Sequence, residues 1–238
     1  MRINRYLSMA GVCSRREADR LIEEGRVTIN DRVAKLGDNV EEDAEVRVKG
    51  KLVDHPETKD VVILKYHKPA GVVCTSSRVE KHNIIDEISY AKRVFPVGRL
   101  DKDSTGLILL TNDGDLCDEI LRGRNGHEKE YIVKVHRPIP DSVLKAMEEG
   151  VPILDTMTRP CTIHRKGEKM FSIVLTQGLN RQIRRMCEYF GYRVVSLQRI
   201  RVMNILLDSL KVGEWKPLTK EEEERLRSLL KGEKFYNA

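Results

Sequence analysis

The sequence predicts an α+β fold in two parts: a small α/β unit at the amino-terminal end, followed by a larger domain on a mixed, mostly antiparallel sheet flanked by helices. Near that end, two segments with helical spacing precede short β-type segments. Beyond residue 60, strand-like segments are joined by hairpin-type turns and interrupted by helical ones. The length of 238 residues suits one large or two modest domains.

Residues 1–54 are expected to form the small unit, and residues 55–60 to link it to the larger domain. Apolar residues 3, 7 and 10 follow helical spacing, and Gly11 ends that helix. Ser14 and Glu17 form the pattern of a capping box, which predicts a second helix from residue 15 to about residue 24. Short strands are predicted over 27–33, 46–48 and 52–53.

Residues 61–238 are expected to form the larger domain. Apolar and alternating patterns predict its main strands over 61–64, 107–110, 131–135, 171–175, 194–197 and 202–207. Helical spacing predicts helices over 115–121, 140–149, 180–190 and 219–231. Asn180 is the predicted N-cap of the third helix, and Thr219 with Glu222 predicts a capping box at the fourth.

The charge distribution indicates a polyanionic partner. The net charge is +6, but residues 159–201 alone carry ten Lys or Arg against two acids, a local net of +8. Five cysteines without a CxxC pair predict reduced thiols, with neither a disulfide framework nor a zinc site. We find no signal sequence and no apolar run long enough for a membrane span, so we expect a soluble, cytoplasmic protein.

The segment Gly98–Gly106 is a candidate catalytic loop directly before a buried strand. It places Asp101 close to Arg99, and a carboxylate held on a turn beside a guanidinium can serve as a nucleophile or a base. The alternatives are a structural turn with capping side chains, or a metal-dependent nuclease that uses Asp101, Asp103 and Asp113.

Arginines at helix starts form a second candidate feature. Arg181, Arg184 and Arg185 lie in the opening turns of the 180–190 helix, where cations oppose the helix dipole, so an anionic partner is favoured. Arg184 adjoins the apolar face and could reach inward to a carboxylate, whereas Arg181 and Arg185 are expected to face solvent or phosphate. Arg15 and Arg16 likewise lie in the first turn of the second predicted helix. For both groups of arginines, the alternative to an anion-binding role is that they are solvated surface residues.

Tyr131 opens a predicted strand, where it would either pack in the core or form a platform for a stacked base. The sequence contains neither GxxxxGK[ST] nor GxGxxG after a strand, so nothing supports a nucleotide or dinucleotide cofactor.

Three segments in order, His67–Val72, Gly98–Gly114 and Gly178–Met186, resemble those of the A-type family of small-subunit ribosomal RNA pseudouridine synthases. Lys129-Glu130-Tyr131 lies where that family carries its active-site tyrosine. The amino-terminal unit resembles the RNA-binding domain named after ribosomal protein S4. Within the family, residues 180–188 and 199–204 are most similar to the F-type synthases of large-subunit ribosomal RNA.

The resemblance implies a cofactor-free isomerisation of uridine to pseudouridine in ribosomal RNA. By motif, Asp101 would be the catalytic carboxylate, which attacks C1′ or abstracts the C2′ proton. Tyr131 would stack on the flipped uracil, Arg184 would hold Asp101, and Arg99 would fill the gap that the base leaves. The resemblance favours large-subunit RNA as the partner of a monomeric enzyme. A synthase for small-subunit RNA or tRNA, and a non-catalytic RNA-binding or ribosome-assembly factor, are the alternatives.

Overall fold

The computed structural model describes residues 1–56, 60–76, 80–122 and 126–232. The chain forms two compact units. The first comprises residues 1–62 together with 91–93 and 112–114, and the second comprises the remainder. Part of the expected linker, residues 57–59, and the end of the larger domain, residues 233–238, lie outside the described residues.

In the first unit, two helices accompany a four-stranded antiparallel sheet in the order β2-β1-β3-β4. The elements are α1 (Ile3–Met9), α2 (Arg15–Glu23), β1 (Val27–Ile29), β2 (Arg32–Val33), β3 (Val46–Val48) and β4 (Lys51–Leu52). The Ser14 hydroxyl accepts a hydrogen bond from the Glu17 amide, as predicted, but the Glu17 carboxylate accepts from Arg20. The helices and the sheet share one core that includes Ile3, Leu7 and Val27.

The second unit is built on a sheet in the order β11-β12-β8-β13-β7-β5-β15, with β14 added to β13 and β6 to β7. Its strands are β5 (Ile63–Lys68), β6 (Phe95–Val97), β7 (Thr105–Thr111), β8 (Lys129–Val135), β11 (Thr162–Gly167), β12 (Met170–Leu175), β13 (Val194–Val202), β14 (Ile205–Leu206) and β15 (Trp215–Pro217). Among the described strands of this sheet, only β7 and β13 pair in parallel. The predicted α+β architecture is confirmed.

Helices flank this sheet, and a short hairpin of β9 (Pro152–Ile153) and β10 (Thr156–Met157) stands apart from it. The helices are α3 (Ile84–Ile88), α4 (Gly114–Leu121), α5 (Asp141–Glu149), α6 (Gln182–Tyr189) and α7 (Lys220–Leu230). The capping box of Thr219 and Glu222 at the start of α7 is confirmed. In the ranges that the structure describes, no helix is both long and apolar enough to cross a bilayer.

Two local predictions need correction, and both concern polar residues at the edge of an apolar pattern. The strand predicted over 194–197 is present, but it continues to Val202 as β13, because the polar residues after Leu197 also pair with neighbouring strands. Asn180 does not cap α6. Arg181 is the N-cap residue, with a left-handed backbone (φ 50°), while Asn180 accepts hydrogen bonds from Arg185.

Candidate active site

The second unit contains a cavity of about 540 Å³. The loop after β6, the start of β8, the segment between β12 and α6, and the middle of β13 contribute to its wall. Asp101 is the only carboxylate among the described residues that line it, whereas the cationic lining residues are Arg99, Arg122, Lys129, Arg181 and Arg199. The cavity is therefore positively charged around a single acid.

The backbone around Asp101 is held by a buried cation. Lys68 is completely buried, and its Nζ donates to the carbonyl oxygens of Pro69 (2.6 Å) and Lys102 (3.2 Å). Burial lowers the pKa of Lys68. The Ser104 amide donates to the carbonyl of Asp101 at 3.0 Å and closes the turn. These contacts fix the direction in which the Asp101 side chain leaves the loop.

Two arginines face the Asp101 carboxylate. Its Oδ2 lies 3.6 Å from Nε of Arg184 and 3.7 Å from Nη1 of Arg181. The Arg184 side chain is only 11% exposed, and its Nη2 also donates to the Ser104 hydroxyl at 3.3 Å. The structure thus brings Asp101 and Arg184 together, as the sequence suggests.

Arg181 is exposed, as the sequence predicts, but its guanidinium also lies beside Asp101, which the sequence does not predict. The reason is that Arg181 precedes α6 in the left-handed conformation, so its side chain does not take the direction of a first-turn helical residue. Arg185 lies within α6, is half-buried and donates to Asn180.

Tyr131 lies in β8 between β12 and β13, opposite Ile173 on one side and Arg199 on the other. It lines the cavity and also packs against the apolar core of the unit. Tyr131 can therefore pack in the core and still offer a surface for a ligand in the cavity, so the two interpretations from the sequence do not exclude each other.

Of the other predicted RNA-contacting residues, Arg99 belongs to the second unit and Arg15 and Arg16 to the first. Arg99 is exposed and lines the cavity, two residues before Asp101. Arg15 and Arg16 lie in the first unit, exposed in the first turn of α2.

Four residues bring buried polar groups to the cavity that the sequence does not indicate. Lys129 donates from Nζ to the His127 carbonyl at 3.3 Å, and burial, reinforced by the charge of Arg199, lowers the pKa of Lys129. Nε2 of His127, Nε2 of Gln177 and Nη2 of Arg199 are buried without a hydrogen-bond partner among the described residues. Gln177 directly precedes the motif segment 178–186, but neither periodicity nor charge marks it as a site residue.

No group of three or more His, Cys, Asp or Glu side chains in the described ranges could hold a metal ion. Asp101, Asp103 and Asp113 therefore do not form the acidic cluster that the nuclease alternative requires.

Comparisons with known proteins identify the family of the chain. The family model of RNA pseudouridylate synthases matches residues 62–189, and that of the S4 domain matches residues 1–58. The dual-specificity RNA pseudouridine synthase RluF of Salmonella typhi is 51% identical over 231 residues, which cover 97% of this chain and 80% of the relative. Ribosomal large subunit pseudouridine synthase B of Bacillus subtilis is 32% identical, with 96% of each chain covered.

Among solved structures, one described as the crystal structure of pseudouridylate synthase superposes with a TM-score of 0.69 at 27% identity. The match covers 95% of this chain and 99% of that one. The resemblance drawn from the sequence motifs is thereby confirmed, and the chain belongs to the RNA pseudouridylate synthase family and carries an S4 domain.

Proposed function

We propose that this pseudouridine synthase acts on a uridine of large-subunit ribosomal RNA. The name of the Bacillus subtilis relative specifies the large ribosomal subunit, and this relative is matched over nearly its whole length. The motif similarity of residues 180–188 and 199–204 to F-type synthases supports the same substrate class, as does the 51% identity to RluF.

The observation that carries the mechanism is the ion-paired Asp101 in a cavity whose other charged lining residues, among those described, are all cations. Arg184, 3.6 Å away, orients the carboxylate towards the ligand. Asp101 then attacks C1′ of the uridine or removes the C2′ proton. The C1′–N1 bond breaks, the uracil turns, and C5 bonds to C1′ as Asp101 leaves C1′ or the proton returns to C2′. C5 then loses its proton and N1 gains one, so that the product is an isomer of the substrate.

A base in a stem must leave its stack before it can turn, at a cost of a few kcal/mol. We propose that Tyr131 stacks on the extruded uracil and that Arg99, exposed at the cavity rim, fills the gap in the RNA. Arg181 and Arg185 would contact phosphates near the entrance, together with the basic segment 159–201. Binding should accordingly weaken steeply with salt.

We further propose that residues 1–54 form the RNA-anchoring domain, with Arg15 and Arg16 on phosphate, that 55–60 is the linker and that 61–238 is the catalytic domain. The family matches to residues 1–58 and 62–189 support this division. We propose a monomeric, cytoplasmic enzyme.

A second RNA substrate is the other candidate. The name of the Salmonella typhi relative says that it has dual specificity, which favours a further RNA class in addition to the large-subunit RNA. We take tRNA as that class, with small-subunit RNA as the comparison.

The test uses Asp101→Asn, with Asp103→Asn, an exposed acid in the same loop, as the matched control. Tritium release is measured from [5-³H]uridine transcripts of large-subunit RNA, small-subunit RNA and tRNA. We expect the wild type and Asp103→Asn to act on the large-subunit transcript, and Asp101→Asn to bind that RNA without releasing tritium. Full activity of Asp101→Asn would refute the catalytic role, and a wild type inactive on large-subunit RNA would refute the substrate.

A further inference from the structure

Gln177 lies two residues beyond the end of β12, in the segment that leads to α6. The last residue of β12, Leu175, pairs in register with Lys129 at the start of β8, so Gln177 follows directly from the part of the sheet that carries Lys129 and Tyr131. Gln177 lines the cavity that contains Asp101. Its amide nitrogen is inaccessible to water and has no hydrogen-bond partner among the described residues.

A buried amide N–H without an acceptor destabilises the protein that contains it, and folded proteins retain few such groups. At the wall of an active-site cavity, the simplest reason to retain one is that the ligand supplies the missing acceptor. Other residues of the cavity strengthen this argument, because Lys129 Nζ and the unpartnered Nη2 of Arg199 are also donors. The cavity therefore offers hydrogen-bond donors and positive charge to an acceptor-rich group.

We propose that Gln177 is a specificity-determining residue whose Nε2 donates a hydrogen bond to a carbonyl oxygen of the flipped uracil. Uracil carries carbonyl oxygens at C2 and C4. Cytosine shares the C2 carbonyl but has an amino group, itself a donor, at C4, so a bond to the C4 oxygen excludes cytosine. Lys129 and Arg199 add positive charge to the same cavity. That charge stabilises the carbonyl oxygens when negative charge spreads over the uracil ring as the C1′–N1 bond breaks. The inference deepens the proposed function, because it requires that the cavity bind the target base.

Gln177→Met tests the role, since Met keeps the length of the side chain and removes the donor. We expect unchanged or higher thermal stability, because an unsatisfied buried group is lost, together with a fall of about tenfold in kcat/KM. The matched control is Gln182→Met. The Gln182 amide is also buried and lines the cavity, but its Oε1 already accepts from the Leu179 amide at 3.0 Å, so this variant should lose stability. A purely structural Gln177 would behave like Gln182.

The ligand atom is identified with RNA that carries 4-thiouridine or 2-thiouridine at the target, because sulfur is a weak acceptor. Activity is followed by mass-spectrometric detection of the isomerised nucleoside. One of the two sulfur substitutions should slow the wild type and have no further effect on Gln177→Met, as expected for a coupled pair. Equal thio effects in both proteins, or a Gln177→Met variant with wild-type kcat/KM, would overturn the inference.

These measurements use whichever of the three transcripts the wild type modifies. A wild type that modifies only tRNA refutes the proposed large-subunit substrate and leaves the Gln177 test intact. Failure of the proposed function and failure of this inference are therefore distinguishable.

Discussion

The parallel pairing of β7 and β13 requires a glycine at position 106. Gly106 pairs in register with Arg199 and has φ +107°, a conformation that L side chains rarely adopt. A Cβ at this position would lie 2.2 Å from the Arg199 carbonyl oxygen and 2.6 Å from its amide nitrogen. Both are backbone atoms, so the clash cannot be relieved by a change of rotamer, and Gly106→Ala must move one strand.

The cost follows from two contributions. An unfavourable φ costs about 1–3 kcal/mol, and a forced overlap in a packed region adds about 1–3 kcal/mol. A central value of about 4 kcal/mol lowers Tm by about 8–16 °C for a protein of this size. Because Arg199 and Asp101 border the same cavity, and a displacement of about 1 Å can cost about 100-fold in rate, we expect kcat/KM to fall by about tenfold or more.

The assay uses the fluorescence of Trp215, the only tryptophan in the sequence, which lies in the same sheet and therefore reports on its unfolding. The matched control is Gly213→Ala, which has φ +80° but no atom within 4 Å of the added Cβ. That variant has only the backbone cost, about 1–2 kcal/mol. If Gly106→Ala melts no lower than Gly213→Ala, the close approach of β7 and β13 is not what requires glycine.

Two further predictions concern ion pairs. The carboxylate of Glu222 accepts from Lys65 Nζ at 2.6 Å, and although burial raises the pKa of Glu222, this bond and others lower it more, to below 4.5. An acid whose pKa is lower in the folded than in the unfolded protein stabilises the fold at pH values above its unfolded pKa. This contribution is lost as the pH falls through the folded pKa, so Glu222→Gln should flatten the decline in Tm below about pH 4.5. Arg201 donates to Glu128 (2.9 Å) and Glu130 (3.1 Å), next to Tyr131. We expect Arg201→Met to lower kcat/KM more than Tm, measured by tritium release and Trp215 melts, and an unchanged rate would contradict this positioning role.

The residues with a local signal could be predicted from the sequence. The apolar run 107–110 predicts β7, and the helical spacing of Ile183, Met186 and Cys187 predicts α6. These three side chains are buried in the core. The same spacing turns Arg184 inward, which is why its pairing with Asp101 could be anticipated. The information lies in a continuous apolar run for β7 and in a period of 3.6 residues for α6.

The remaining features depend on pairing between distant segments, which no local pattern encodes. Gln198 and Arg199 interrupt an apolar run, and they belong to β13 because β7 and β8 lie on either side of them. The Arg199 guanidinium is buried because its Nε donates to the Leu107 carbonyl at 2.7 Å, a contact across 92 residues. The proximity of Arg181 to Asp101 has a related origin, because the left-handed turn before α6 changes the direction of the Arg181 side chain.

Lys129 and Arg199 line one cavity, and burial together with the charge of Arg199 lowers the pKa of Lys129. Stability alone would not favour two such cations and an unpartnered amide in the same cavity. The sheet nevertheless holds these groups in place, through the Leu107 carbonyl for Arg199 and through the register of β8 for Lys129. On the proposal made above, the unfavourable interactions of the free protein would become favourable when an electron-rich base enters the cavity. Binding energy would then be directed at the uracil itself, and phosphate contacts elsewhere would provide affinity without sequence selectivity.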